Sequence, residues 1–190
     1  MSFKKRHILF AVLALCAGMG FYGYLISNLS KRPNIFSTSD SVKIGGDEFS
    51  VCKSVVHLYF ADRDNYYLRA EKNTIQAQAP VYRGKKIIEN LIQGPRSGLS
   101  PTLPKRTALL GFYIDNFKTA YVDFSMEARR EHQGGVLSEL LSVYSIVNSL
   151  ILNIDEIEAV KILLSGREAE TFNGHVDLRN PLKADIMYIR

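Results

Sequence analysis

Runs of alternating and helically spaced apolar residues lay out the elements of this chain. VVHLYFA, residues 55–61, is β-branched and aromatic, DRDN at 62–65 is turn chemistry, and YYLRAEKNTI resumes an extended pattern, which predicts a β-hairpin. Pro80 then sits where a first helical turn tolerates proline. Val81, Ile88, Leu91 and Ile92 follow at helical spacing with Lys85, Lys86 and Glu89 on the other face, and Gly94 and Pro95 end the helix. ALLGFYI, 108–114, and TAYVDF, 119–124, flank the four residues Asp115 to Lys118 and predict a second hairpin. MEARREHQGG, 126–135, reads as a polar connector. From Val136 to Leu152 a wide stripe of Leu137, Leu140, Leu141, Tyr144, Val147, Leu150 and Ile151 predicts the core helix. EAVKILLSG, a turn at Gly166 and Arg167, and EAETFNGHVDL follow, and the closing NPLKADIMYIR forms a short strand or lies across the fold.

The resulting order, ββαββαβ with an eighth element as a further strand, pairs its hairpins antiparallel and gives each helix one apolar side. The expected fold is α+β: a two-layer sandwich, mainly antiparallel, with two amphipathic helices on one face of the sheet. This domain occupies residues 53–190. Residues 27–52 mix Ser, Asn, Gly and charges without a period and read as a flexible linker.

Ahead of the linker, ILFAVLALCAGMGFYGYLI, residues 8–26, holds 19 positions without a charge, enough helix to cross a hydrocarbon layer of roughly 30 Å. Lys4, Lys5 and Arg6 precede it, so residues 1–7 are expected in the cytoplasm and the domain on the outer side of the cell membrane, as a single-pass protein. The run is longer than the apolar stretch of a cleaved leader and ends in Phe21, Tyr22 and Tyr24, so it reads as an uncleaved signal anchor. Leu15, ahead of Cys16, is too large for lipoprotein processing. With Cys52 the only other cysteine, the exported part has no internal disulfide.

The net charge of +5 points to nucleic acid only until it is located. Three of the 24 basic residues precede the apolar run, and the first acidic residue is Asp40, so the exported part carries an ordinary mixed surface. No nucleic-acid partner is expected.

No motif announces catalysis, a metal or a cofactor. His57, His132 and His175 lack ligand spacing. Asp62, Asp64, Asp123 and Glu127 would be the carboxylates for glycan hydrolysis, but Asp62 and Asp64 flank a turn that selects aspartate for local hydrogen bonds. SGLSP, 97–101, does not have the order of a nucleophile elbow. Two stretches are candidate ligand or partner contacts. In IQGPRSGLSPTLPK, Arg96, Ser97 and Lys105 would form an anion-binding concavity. The stretch follows a helix, however, where the dipole has the wrong sign, so it reads first as a crossover pinned by Leu99 and Leu103. Gly134 and Gly135 precede the core helix, the better place for an anion, and read first as a flexible entry to it.

LIQGPRSGLSPTLPKRTALLGFYI, TAYVDFS, GGVLSELLSVYSIVNSLI and ILLSGREAETFNGHVDL, in that order, resemble the successive blocks of the GerMN domain, over about residues 55–182. That domain is found in sporulation and spore germination proteins and in some envelope lipoproteins. The resemblance implies an anchored domain outside the cytoplasmic membrane, without recognised catalytic residues, that takes part in assembly of envelope machinery. One such domain is present here, where the spore protein carries two in tandem. The expected partners are envelope or sporulation proteins, met through the sheet face opposite the helices or through a sheet edge, with Tyr66, Tyr67, Phe112 and Tyr121 as aromatic candidates. The alternatives are a module for cell-wall polymer or another anionic ligand, through Arg96 and Lys105, and an envelope hydrolase.

Overall fold

The computed structural model describes residues 53–77 and 79–190. The expectations for residues 1–7, 8–26 and 27–52 lie outside the described residues. Among those described, no helix is long and apolar enough to cross a membrane.

The fold is α+β. Strands β1 (Lys53–Ala61) and β2 (Leu68–Gln76) form an antiparallel hairpin, followed by helix α1 (Pro80–Gln93). Strands β3 (Leu109–Ile114) and β4 (Thr119–Phe124) form the second hairpin. After it come a short helix α2 (Glu127–Arg130), the long helix α3 (Val136–Ile151), strands β5 (Ala159–Leu164) and β6 (Arg167–Glu168), and a 3-10 turn at Ile186–Tyr188.

Four features depart from the expected sandwich. The first hairpin stays a two-stranded sheet of its own, while β3-β4-β5-β6 make a separate sheet in that order. Strand β5 runs parallel to β4, Thr119 opposite Ala159 through Phe124 opposite Leu164, because α3 carries the chain back between them. The polar connector contains the single turn α2. The helices do not lie on one sheet alone: α3 runs along β1 and reaches β5, and α1 touches β1, β2, β3 and α3.

One core joins these parts. Val56, Leu58 and Phe60 of β1 meet Ile87, Ile88 and Leu91 of α1, Val122 and Phe124 of β4, Ile162 and Leu164 of β5, and Val143, Ile146, Val147 and Leu150 of α3. On α1 the buried positions are Gly84, Ile87, Ile88 and Leu91, one helical face, while Val81 is exposed. Gly84 is needed there. The ring of Phe112 packs so closely that a Cβ on Gly84 would lie 2.2 Å from Phe112 Cζ.

The stripe expected on α3 is met in part: Leu141, Val147 and Leu150 are buried, but the buried surface extends past it onto a polar face. Leu137 is exposed and Leu140 and Tyr144 are half-buried, whereas Glu139, Ser142, Ser145, Asn148 and Ser149 are buried. The reason is an unusual neighbour, the open edge of β1. Asn153, just beyond α3, pairs its amide reciprocally with His57: the His57 N–H donates to Oδ1 at 2.8 Å and Nδ2 donates to the His57 carbonyl at 2.8 Å. The Tyr59 N–H donates to Ser149 Oγ at 3.0 Å, and Ser145 Oγ donates to the Tyr59 carbonyl at 2.6 Å. The Ser100 N–H closes the series on the Ala61 carbonyl at 2.8 Å. Four helical residues rise about 6 Å and two strand residues about 6.6 Å, so the step from Ser149 to Asn153 matches the step from Tyr59 to His57, while Ser145 and Ser149 bracket Tyr59 from both sides. Asn148 does the same for the C-terminal segment, exchanging two hydrogen bonds with the backbone of Asp185 at 2.9 and 3.0 Å.

Candidate functional site

The crossover after α1 is held from both ends. Gly94 takes φ of 89° and its N–H closes the helix on Asn90 and Leu91. Leu103 is buried and Leu99 packs against the core. Arg96 and Ser97 do present their N–H groups to an anion, and that anion comes from the chain itself. The Glu71 carboxylate of β2 accepts the N–H of Arg96 at 2.9 Å, the N–H of Ser97 at 2.8 Å, and the Ser97 hydroxyl. The Arg96 side chain points to solvent.

A second glutamate performs the same task at the entry to α3. Gly135 is its N-cap residue, and Gly134 and Gly135 both have positive φ, 78° and 90°, conformations that favour glycine. One turn in, Glu139 is fully buried. Its carboxylate accepts the N–H groups of Asn173 at 2.7 Å, Val176 at 2.9 Å and His175 at 3.1 Å, and the His175 ring Nδ1–H at 2.9 Å. Burial pushes this carboxyl up, but the backbone N–H groups of Asn173 and Val176, then His175 by side chain and backbone, outweigh it and hold the group below the ordinary glutamate range.

His132 lies beside this seat. Its Nδ1 accepts the Gly134 N–H at 3.1 Å, so the proton sits on Nε2 and is donated to Ser142 Oγ, 2.8 Å away. Ser142 in turn donates to the Thr102 carbonyl at 2.5 Å, and the Thr102 and Ser145 hydroxyls meet at 2.7 Å. Burial pushes His132 below the ordinary histidine range, only partly opposed by the Glu139 charge and the Ser138 backbone. The pair resembles a nucleophilic dyad in distance alone: a base for Ser142 needs an open lone pair on Nε2, and here that nitrogen carries the proton.

Around this network the crossover, the connector and α3 enclose a pocket of about 270 Å³. Pro101, Leu103, Pro104 and Leu141 make it apolar, while Asn65, Lys105, Gln133 and Ser138 bring polar groups. The structure thus brings Lys105 together with His132 and the start of α3, and places Arg96 and Ser97 in the Glu71 clamp. Asp62 Oδ1 accepts the N–H of Tyr66 at 2.9 Å inside its turn, and Asp123 Oδ1 accepts the Gly166 N–H at 2.8 Å. Among the described residues, no three His, Cys, Asp or Glu side chains cluster to hold a metal.

The other exposed feature is β3, the end strand of its sheet, with Leu110 55%, Tyr113 52% and the hairpin-tip Phe117 86% exposed. Tyr121 stacks on Tyr113 at 4.5 Å, Tyr66 is exposed, and Tyr67 is half-buried with the Arg190 guanidinium 3.7 Å from its ring centre. Phe112, expected as an aromatic that either faces outward or joins the core, is buried over Gly84.

Comparison with known proteins adds the family. The family model Germane, described as sporulation and spore germination, matches residues 57–170, more than half of the chain. A crystal structure of a Clostridium perfringens protein described as a lipoprotein is similar at 25% identity and a TM-score of 0.52, covering 74% of this chain and 92% of that one. The tandem GerMN domains of the Bacillus subtilis sporulation protein GerM share the fold at 23% identity and a TM-score of 0.58. That match covers 70% of this chain and 46% of theirs, about half of the tandem. The first GerMN domain alone matches at 22% identity and a TM-score of 0.52, with 70% of this chain and 96% of that domain covered. Among proteins of curated function, none matches the sequence. The ordered blocks of residues, the α+β fold they build and the family match agree: this chain belongs to the Germane family of sporulation and spore germination.

Proposed function

We propose that this chain is a non-catalytic docking domain, anchored in the cell membrane by residues 8–26 and facing outward, that joins an assembly of envelope or sporulation proteins by accepting a partner strand on β3. The observation that carries the reading is the state of the strand edges. The outer edge of β1 is covered by Ser145, Ser149, Asn153 and Ser100, and the exposed positions of β2 include Arg69 and Lys72, which discourage pairing. Strand β3, LLGFYI, has no charge, ends its sheet and exposes Leu110 and Tyr113, the combination that β-augmentation uses. The anchored, extracytoplasmic placement draws on the uncharged N-terminal run and on the lipoprotein description of the C. perfringens relative. The non-catalytic reading draws on the spent chemistry of the interior: Glu71 and Glu139 are bound by backbone amides, and the lone pair of His132 is taken by Gly134.

The test is crosslinking of the full chain in its native membrane, with and without the double substitution Leu110→Lys and Tyr113→Lys. Both sites are exposed, so the fold is retained. The native chain is expected in higher-mass complexes and the variant as a single small species. Equal crosslinking of the two would remove β3 from the proposal.

A further inference from the structure

We infer that the pocket between the crossover and the start of α3 is a second binding site, which takes an acidic peptide segment of a partner protein with Lys105 as its charge contact. This goes beyond strand addition at β3, because the site lies on other elements.

Charge selects the ligand's sign. Three ionisable side chains line the pocket: Lys105, Glu131 and His132. Glu131 is already paired with Arg106 at 2.9 Å, and His132 is a neutral ring that accepts the Gly134 N–H and donates toward Ser142. Lys105 makes no ion pair among the described residues, so the pocket offers one uncompensated positive charge to a carboxylate.

Shape and lining select its body. A volume of about 270 Å³ lies just below the ~300 to 1,000 Å³ of drug-sized ligand pockets, room for a side chain and its neighbour. The floor of Leu103, Leu141, Pro101 and Pro104 suits aliphatic carbon. Asn65 and Gln133 make no side-chain hydrogen bond among the described residues, which leaves their amides for the donors and acceptors of a peptide backbone. A small inorganic anion would leave all of this unused.

Fluorescence anisotropy on the full chain in detergent tests the inference. The probe is a labelled, C-terminally amidated hexapeptide with one aspartate between two leucines, compared with peptides carrying asparagine or lysine at that place. The aspartate peptide is expected to bind about tenfold tighter than the asparagine one, the scale of one charge-assisted contact, and the lysine peptide not at all. Lys105→Ala erases the preference and Lys105→Arg keeps it. Ser138→Trp fills the pocket and abolishes binding. Lys72→Ala, on an exposed face of β2, and Leu110→Lys, on β3, leave binding unchanged, which separates this site from strand addition. Equal affinity for the three peptides, no binding of any, or an unchanged Lys105→Ala variant overturns the inference. So does Lys105-dependent binding of the carboxylated sugar N-acetylmuramic acid without binding of the aspartate peptide.

Discussion

Replacing Glu139 by glutamine tests the internal logic of the fold most directly. The buried carboxylate gathers three backbone N–H groups and the His175 ring within 2.7 to 3.1 Å, fixing the loop at 173–176 to the first turn of α3. Charge-assisted hydrogen bonds contribute ~1.5 to 3 kcal/mol each, about twice a neutral one. Glutamine keeps one acceptor oxygen for Asn173 and Val176, at neutral strength, and turns an NH₂ group against the His175 N–H. The expected loss is about 3 kcal/mol at pH 7, a large part of a stability of ~5 to 15 kcal/mol. The sign with pH follows from a carboxyl held below its ordinary value: its contribution is present above about pH 4.5 and is lost as pH falls through the lower folded value. Urea unfolding followed by circular dichroism from pH 7 to 3 should therefore show the two proteins far apart at neutral pH and converging in acid. A constant gap across that range, or a gap under about 0.5 kcal/mol at pH 7, would refute the reasoning.

Other substitutions check separate parts of the structure. Gly84→Ala gains ~1 kcal/mol of helix propensity but drives a Cβ into the Phe112 ring, so a net loss of ~1 to 2 kcal/mol is expected by chemical denaturation, relieved when Phe112→Leu is added. Thr107 is buried and its hydroxyl has no partner among the described residues, so Thr107→Val should raise stability by about 1 kcal/mol and with it the thermal midpoint. Ser145→Ala strips a partner from the Tyr59 carbonyl and the Thr102 hydroxyl, and should cost ~2 kcal/mol, with faster amide exchange in β1 than elsewhere.

The element pattern was legible in the sequence because periodicity is local. Two hairpins, the Pro80 start and Gly94 stop of α1, and the extent of α3 all follow from spacing and turn residues, and the blocks around residues 92–178 carried the family resemblance. The pairing of β4 with β5 was not legible, since it depends on where α3 returns the chain. The burial of α3 was misread for a clear reason. Ser138, Ser142, Ser145 and Ser149, spaced by three or four residues, look like a solvent face, and only the edge of β1, 86 to 96 residues away from the side chains that bind it, turns that face inward.

The two candidate anion seats show the same division. By itself, the sequence determined that residues 96–97 and 134–135 have backbone suited to close approach, because glycine, proline and serine set local conformation. Tertiary structure alone decided the partners: Glu71 reaches Arg96 and Ser97 across 25 and 26 residues, whereas the Gly134 N–H goes to His132 and the nearby Glu139 turns instead to the loop at 173–176, across 34 to 37 residues. A carboxylate is recognised by converging N–H groups. Convergence belongs to the folded chain, because residues distant in sequence supply the two sides.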